Sequence, residues 1–190
     1  QRDSSWHGTH VAGTIAMRTN NAVGLAGIAP SARILPVRAL GHCGGSSADI
    51  ADAIVWASGG HVDGVPDNAN PAQIINISLG GEGNCSGDSV TANAIASALS
   101  RGTTVVAAAG NDNIDAFNST PASCPGVINV ASVGLTGQRA LYSDYGTNVT
   151  SSAPGRRIFE NDKSTGYTQP RPRFVGSTVH DARHAPSHPV

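Results

Sequence analysis

The chain has 190 residues, 39% hydrophobic, 4% aromatic and 13% charged, with a net charge of −1. That length supports one domain with a real core, and the weak, balanced charge excludes the basic faces on which nucleic acid or an anionic membrane would dock. No apolar stretch reaches membrane-spanning length and no signal-peptide pattern is visible, so neither nucleic acid nor a membrane is expected as a partner.

Ser5–Met17 reads as the first helix. Ser4 and Ser5 are candidate N-caps, and Val11, Ala12, Ile15 and Ala16 form a face that can bury. Gly8 and Gly13 cost about 1 kcal/mol each against alanine, which points to a need for close backbone approach. His7 opens this helix, where its ring can be held rigidly and project into a cleft; a satisfied core histidine is the plainer reading. Zinc is a weak option. His7 and His10 stand i, i+3, whereas the zinc-protease helix needs i, i+4 with a glutamate between, and two histidines alone make no metal site.

Further along, Thr19–Leu25 is a turn and Arg33–Ala39 a strand. Ser47–Ser58 is an amphipathic helix with Ile50, Ile54, Val55 and Trp56 inward, followed by the turn-rich connection Asp63–Pro71. Ile74–Ser78 reads as strand, Ser89–Ser100 as helix, and Thr103–Ala107 and Val127–Val133 as strands. Alternation of this kind predicts an α/β fold with a mostly parallel sheet. In such sheets binding sites form beyond the carboxyl ends of strands, where Ser78-Leu79-Gly80 and Gly110-Asn111 both fall.

Four segments carry a resemblance: His7-Gly-Thr-His-Val-Ala-Gly-Thr14, Ile77-Ser-Leu-Gly-Gly81, Ala107-Ala-Ala-Gly-Asn111 and Ser152-Ala-Pro-Gly155. In this order and spacing the chain resembles the subtilisin-like serine proteases over about residues 4–155. Val37–Gly45 and Asn84-Cys85 are similar to the secreted, disulfide-containing bacterial branch. The resemblance implies a three-layer α/β fold with a mostly parallel sheet, here incomplete at both ends. It also implies serine endopeptidase activity through a Ser-His-Asp triad and an acyl-enzyme, by a secreted monomer.

By the same resemblance His7 is the general base and acid, and Asn111 donates to the oxyanion, the two sharing one pocket mouth. Ser78, Leu79 and Gly80 form one wall of the pocket for the residue before the scissile bond, and Ala108, Ala109 and Gly110 the other. Gly44, Gly45 and Ser46 form the edge on which an extended peptide pairs by backbone hydrogen bonds. Small residues on these walls imply broad specificity. Thr19, Asn21, Val23 and Leu25 resemble a calcium loop offering carbonyl and amide oxygens, so structural calcium is allowed, although the chemistry requires no cofactor. Cys43 and Cys85, both in glycine-rich loops after strand patterns, are expected to pair and leave Cys124 over; three reduced thiols are the alternative.

The chain also departs from the family pattern. An Asp-[Ser/Thr]-Gly segment on a strand before the histidine is not present, and Asp3 is a solvated loop residue rather than its substitute. Asp112 and Asp144 have no motif support. Where Gly-Thr-Ser-Met-Ala is expected, Gly176-Ser-Thr-Val-His180 stands instead, which leaves Ser177 a weak nucleophile candidate. Residues 1–155 carry 6 basic and 10 acidic side chains, and residues 156–190 carry 6 and 3, with Pro170, Pro172, Pro186 and Pro189. Those prolines forbid a long helix, so an irregular tail is expected over 156–190 beside a partial catalytic domain over 1–155. His180, His184 and His188 make no metal stripe, because Pro186 breaks the helix they need. The expectation is a subtilase segment inactive as it stands; the second reading is a non-catalytic peptide-binding relative or a gene relic.

Overall fold

The computed structural model describes residues 6–41, 44–155, 158–161 and 168–171. Helix α1 (His7–Ala16) starts two residues later than its pattern suggested, after Trp6 in a left-handed conformation with no side-chain cap. The candidate caps Ser4 and Ser5 lie outside the described residues. The apolar face of α1 buries Val11 against Ile15 and Ile28, a small cluster of its own.

Arg33–Ala39 is not a strand. A strand needs a ladder partner, and this extended run has none among the described residues. Its apolar side chains stay open to solvent, with Ile34 and Val37 each 40% exposed. The glycine turn after it closes with mutual hydrogen bonds between Gly41 and Gly44.

Helix α2 (Ser47–Ala57) begins where Ser46 accepts a hydrogen bond from the Asp49 N–H. The Ser46 hydroxyl in turn donates to the Asp49 carboxylate, a compact cap that ties up the first turn. Ala51, Ile54 and Ala57 are buried, with Ile50 and Val55 packed at the margin. Trp56 is only half-buried and ties down the following connection, its indole N–H donating to the Pro66 carbonyl at 2.7 Å. Asn68 in that connection donates to the Trp56 and Ala57 carbonyls, adding to the backbone bonds these take from Gly59 and Ala72 and tying the connection to the helix end.

Strand β1 (Ile74–Ile77) is followed by the two-residue strand β2 (Gly81–Glu82). Helix α3 (Ser89–Ser100) follows, capped by Asp88, which accepts from the Thr91 N–H. Next come β3 (Thr104–Ala108), a single 3-10 turn (Ala116–Asn118) and the short β4 (Ser119–Thr120). Strands β5 (Ile128–Val133) and β6 (Ser151–Pro154) complete a four-stranded sheet in the order β1-β3-β5-β6, every neighbouring pair parallel.

The central strands β3 and β5 are buried on both faces, as in other parallel sheets. Val105 and Ala107 of β3 pack against α2 and α3 through Ile54, Ile95 and Ala98. Val106 faces the other way, with Val130 and Ala153. The helix and sheet expectations therefore hold to within a residue or so from Ser47 to Val133. The tail differs in part: β7 (Ile158–Asn161) and β8 (Thr168–Arg171) pair as antiparallel strands where irregular chain was expected.

The expected Cys43–Cys85 disulfide is not the one formed. Cys85 bonds to Cys124, with Cα atoms 5.0 Å apart. The reason is the short β2–β4 ladder, Gly81 opposite Thr120 and Glu82 opposite Ser119. From there the chain folds back, and the Cys85 N–H donates to the Ser123 hydroxyl. Two two-residue strands leave no periodic signal, so this proximity is invisible in sequence. Cys43 lies outside the described residues.

Candidate active site

The parallel pairing of β1 with β3 decides the shape of the site. Ile77 stands opposite Ala107, so both strands end at the same edge of the sheet. The segments that leave them, Ser78–Gly80 and Ala108–Gly110, therefore emerge side by side. Ser78 is buried, and its hydroxyl accepts from the Asn76 amide at 2.9 Å. Ala108 and Ala109 are buried as well, and the Ala109 N–H is anchored on the Val130 carbonyl at 3.0 Å. Gly80 passes so close to the neighbouring loop that a Cβ there would lie 2.9 Å from the Thr120 carbonyl oxygen. Only a glycine fits without displacement of backbone.

An open cleft of about 580 Å³ lies along this edge, lined by Gly44, Gly45, Ile50, Leu79, Gly80 and Pro121 among others. Gly44 and Gly45 are thus brought to the same cleft as Leu79 and Gly80, with Ser46 next in line as the cap of α2. Gly45 presses against its own loop, where a Cβ would meet the Ala39 carbonyl oxygen. His7 and Asn111 do not line this cleft.

His7 is the first residue of α1. Partial desolvation holds its pKa below the ordinary imidazole value. Neutral imidazole, the form able to accept a proton, is thereby favoured to lower pH. Asn111 follows Gly110, whose φ of +123° belongs to glycine. Its Nδ2 is buried and makes no hydrogen bond to the described residues, an uncommon state for an amide donor.

Sequence reasoning passed over Asp144. It is fully buried. One carboxylate oxygen accepts from the N–H groups of Asp112 (2.8 Å) and Ile114 (3.2 Å), the other from the Ser119 hydroxyl (2.9 Å). No local motif marks such a residue; only the fold brings the 110–119 and 139–145 loops together.

In the turn after α1, the Asn21 side-chain oxygen accepts from the Val23 N–H at 3.1 Å. Leu25 turns its N–H toward the Met17 sulfur at 3.3 Å. Thr19, Asn21, Val23 and Leu25 thus share one exposed turn with neutral oxygens only. Ser177 lies outside the described residues.

A parallel α/β sheet with a glycine-walled cleft at the carboxyl ends of its strands is the architecture of a subtilisin-like hydrolase. Comparison with known proteins bears this out: the model of the subtilase family, Peptidase_S8, matches residues 1–178, and the chain belongs to that family. It is 58% identical over 167 residues to an extracellular protease of Xanthomonas campestris, covering 88% of this chain and 28% of that protein. It is 52% identical over 155 residues to an extracellular basic protease of Dichelobacter nodosus, covering 82% and 25%. Among solved structures, a protease of Pseudoalteromonas arctica superposes with a TM-score of 0.81 at 52% identity, covering 96% of this chain and 57% of that one. A cold-adapted subtilisin-like serine proteinase superposes at 0.74 with 28% identity, covering 93% and 58%. The chain thus spans about a quarter of the length of these curated relatives.

Proposed function

We propose that the chain is a segment of the catalytic domain of a secreted serine endopeptidase that cleaves extended peptide segments through an acyl-enzyme. In this reading His7 takes the proton from the nucleophile and returns it to the leaving amine, and Asn111 Nδ2 donates to the developing oxyanion. Ser78–Gly80 and Ala108–Gly110 are the two walls that hold the side chain before the scissile bond. The Gly44–Ser46 backbone pairs with the substrate as an added strand. The observation that carries the reading is the buried Asn111 amide donor with no described partner, on the segment that leaves β3 at the edge where β1 also ends. The names of the relatives, both extracellular proteases, support secretion and a protein substrate. No helix among the described residues is long and apolar enough to cross a membrane. We take the working form to be a monomer.

The triad carboxylate and hydroxyl are not present in recognisable form within the 190 residues. On its own the chain is therefore expected to be inactive. The second reading is a peptide-binding relative that keeps the cleft without the chemistry. Casein hydrolysis by the purified 190-residue chain, with and without His7→Ala, tests the first point: turnover that the substitution abolishes overturns the inactivity. Labelling of the gene's full product by a fluorophosphonate tests the second: covalent capture supports the endopeptidase, and peptide binding without capture supports the binder.

The 19–25 turn fits calcium in ligand type but not in charge, because its oxygens are neutral. We propose at most a weak structural site at Thr19, Asn21, Val23 and Leu25, in the millimolar range typical of low-charge extracellular sites. A thermal midpoint that is the same in millimolar calcium and in chelator would remove it.

A further inference from the structure

The loop that carries Asn111 is held at both of its flanking peptides by one residue. The Asp144 N–H donates to the Gly110 carbonyl at 3.1 Å, on the near side of Asn111. The Asp144 carboxylate accepts the Asp112 N–H at 2.8 Å, on the far side, and the same oxygen takes the Ile114 N–H at 3.2 Å. Its second oxygen takes the Ser119 hydroxyl at 2.9 Å. Asn111 thus stands at the vertex of a turn whose two arms both end on Asp144.

The neighbouring contacts close the same seam. The Asn113 N–H donates to the Tyr142 carbonyl, and the Tyr145 N–H to the Ile114 carbonyl. Arg139 donates to the Asn113 side-chain oxygen at 2.8 Å and to the Ser143 carbonyl, and its guanidinium lies 4.8 Å from the centre of the Tyr145 ring. Gly110 makes the approach feasible, since a Cβ there would lie only 2.0 Å from the Asp144 carboxylate oxygen. A fully buried carboxylate is costly to keep unless its hydrogen bonds are made, and here the two oxygens take three donors. Two of the three donors, the Asp112 and Ile114 N–H groups, belong to the loop bearing Asn111.

We propose that Asp144 is a positioning residue that fixes the Asn111 side-chain donor in the place from which it meets the oxyanion. This rests on the reading of Asn111 given above. A donor misplaced by about 1 Å costs on the order of 100-fold in rate, so a rigid clamp on its loop acts directly on the chemical step.

Two arms of one experiment separate this proposal from that reading. In the 190-residue chain, the side-chain amide resonances of Asn111 are followed by NMR in wild type, Asp144→Ala and Asp144→Asn. Asparagine keeps an oxygen for the two backbone donors, and the Ser119 hydroxyl can accept from its amide. The expectation is that alanine shifts or broadens the Asn111 pair while asparagine restores it. An unmoved pair in a folded alanine variant overturns the proposal, and so does equal disturbance by the two substitutions. If Asp144→Ala fails to fold, Ser119→Ala removes a single donor and is expected to shift the same pair by less; no shift there overturns the proposal.

In the gene's full product, kcat and KM for a peptide substrate are measured in a double-mutant cycle with Asn111→Ala. Asp144→Ala is expected to lower kcat about 100-fold with KM little changed, and to add little once Asn111 is gone. An undiminished effect in the Asn111→Ala background means that Asp144 acts elsewhere and overturns the proposal. Asn111→Ala without effect overturns the oxyanion reading instead, leaving the spectroscopic result to stand on its own.

Discussion

Two histidines show how differently this fold treats one side chain. His7 is partly desolvated, which lowers its pKa from the ordinary value near 6.5. His61 is fully exposed; a 2.7 Å hydrogen bond to Asp67, and the charges of Asp67 and Asp63, raise its pKa. The signs for stability are opposite. As pH falls below about 6.5 the unfolded chain protonates at His7 before the folded one does, so stability is lost until the folded pKa is passed. His61 contributes below about 6.5 and loses its contribution as pH rises through its raised folded value. The ring Cε1–H resonance of His7 should accordingly titrate with a midpoint below 6.5, and that of His61 above it. His7→Ala should flatten the loss of urea stability as pH falls below about 6.5, the side on which the lowered His7 pKa acts. A His7 midpoint at or above 6.5 would contradict the partial burial of its ring.

At the scale of elements, local chemistry decides where helices begin. Asp88 caps α3 through the Thr91 N–H and also receives the Ser47 hydroxyl at 3.4 Å, linking the starts of α2 and α3. Partial burial pushes its carboxyl up, but the hydrogen bonds from Thr91 and Ser47 together hold it below the usual carboxylate range. Asp88→Ala should therefore cost about 1 kcal/mol, seen as a lower urea midpoint with an unchanged slope. The difference between variant and wild type should shrink as pH falls through the lowered Asp88 pKa, since the capping carboxylate is then protonated in both states of wild type. Both helices were legible in the sequence, while their caps, Ser46 and Asp88, were found only in the structure. The run Arg33–Ala39 was misread because a short apolar run has the form of a strand while hydrogen-bond partners, which no pattern records, make one.

For the whole molecule the Cys85–Cys124 bridge is the main cross-link among the described residues, closing a sequence separation of 39. A loop of that length, closed in the unfolded chain, corresponds to about 4 kcal/mol in the chain-entropy account. Replacing both cysteines with serine should lower unfolding free energy by an amount of this order, and reducing agent should do the same to wild type while leaving the variant unchanged. A loss below 1 kcal/mol would show that the β2–β4 seam holds the two loops without the bond. A second whole-molecule expectation concerns Gly80. Substitution by alanine drives a Cβ to within 2.9 Å of the Thr120 carbonyl oxygen, so the two loops must part and peptide binding along the cleft should weaken. Titration with an extended peptide measures this; unchanged affinity would mean that the wall does not touch substrate.

The sequence by itself determined the alternating helices and strands from Ser47 to Val133, the family, and the segments that meet at the sheet edge. Those features rest on periodicity and short motifs, which are local and survive in one dimension. Tertiary structure alone decided that Cys124 rather than Cys43 reaches Cys85, that Ile77 stands opposite Ala107 in the β1–β3 register, and that Asp144 grips the loop of Asn111. Each of these depends on contacts between residues some 25 to 40 positions apart in the chain. Such contacts are set by strand order and by backbone donors finding acceptors as the chain packs, and neither leaves a mark on the residues one at a time.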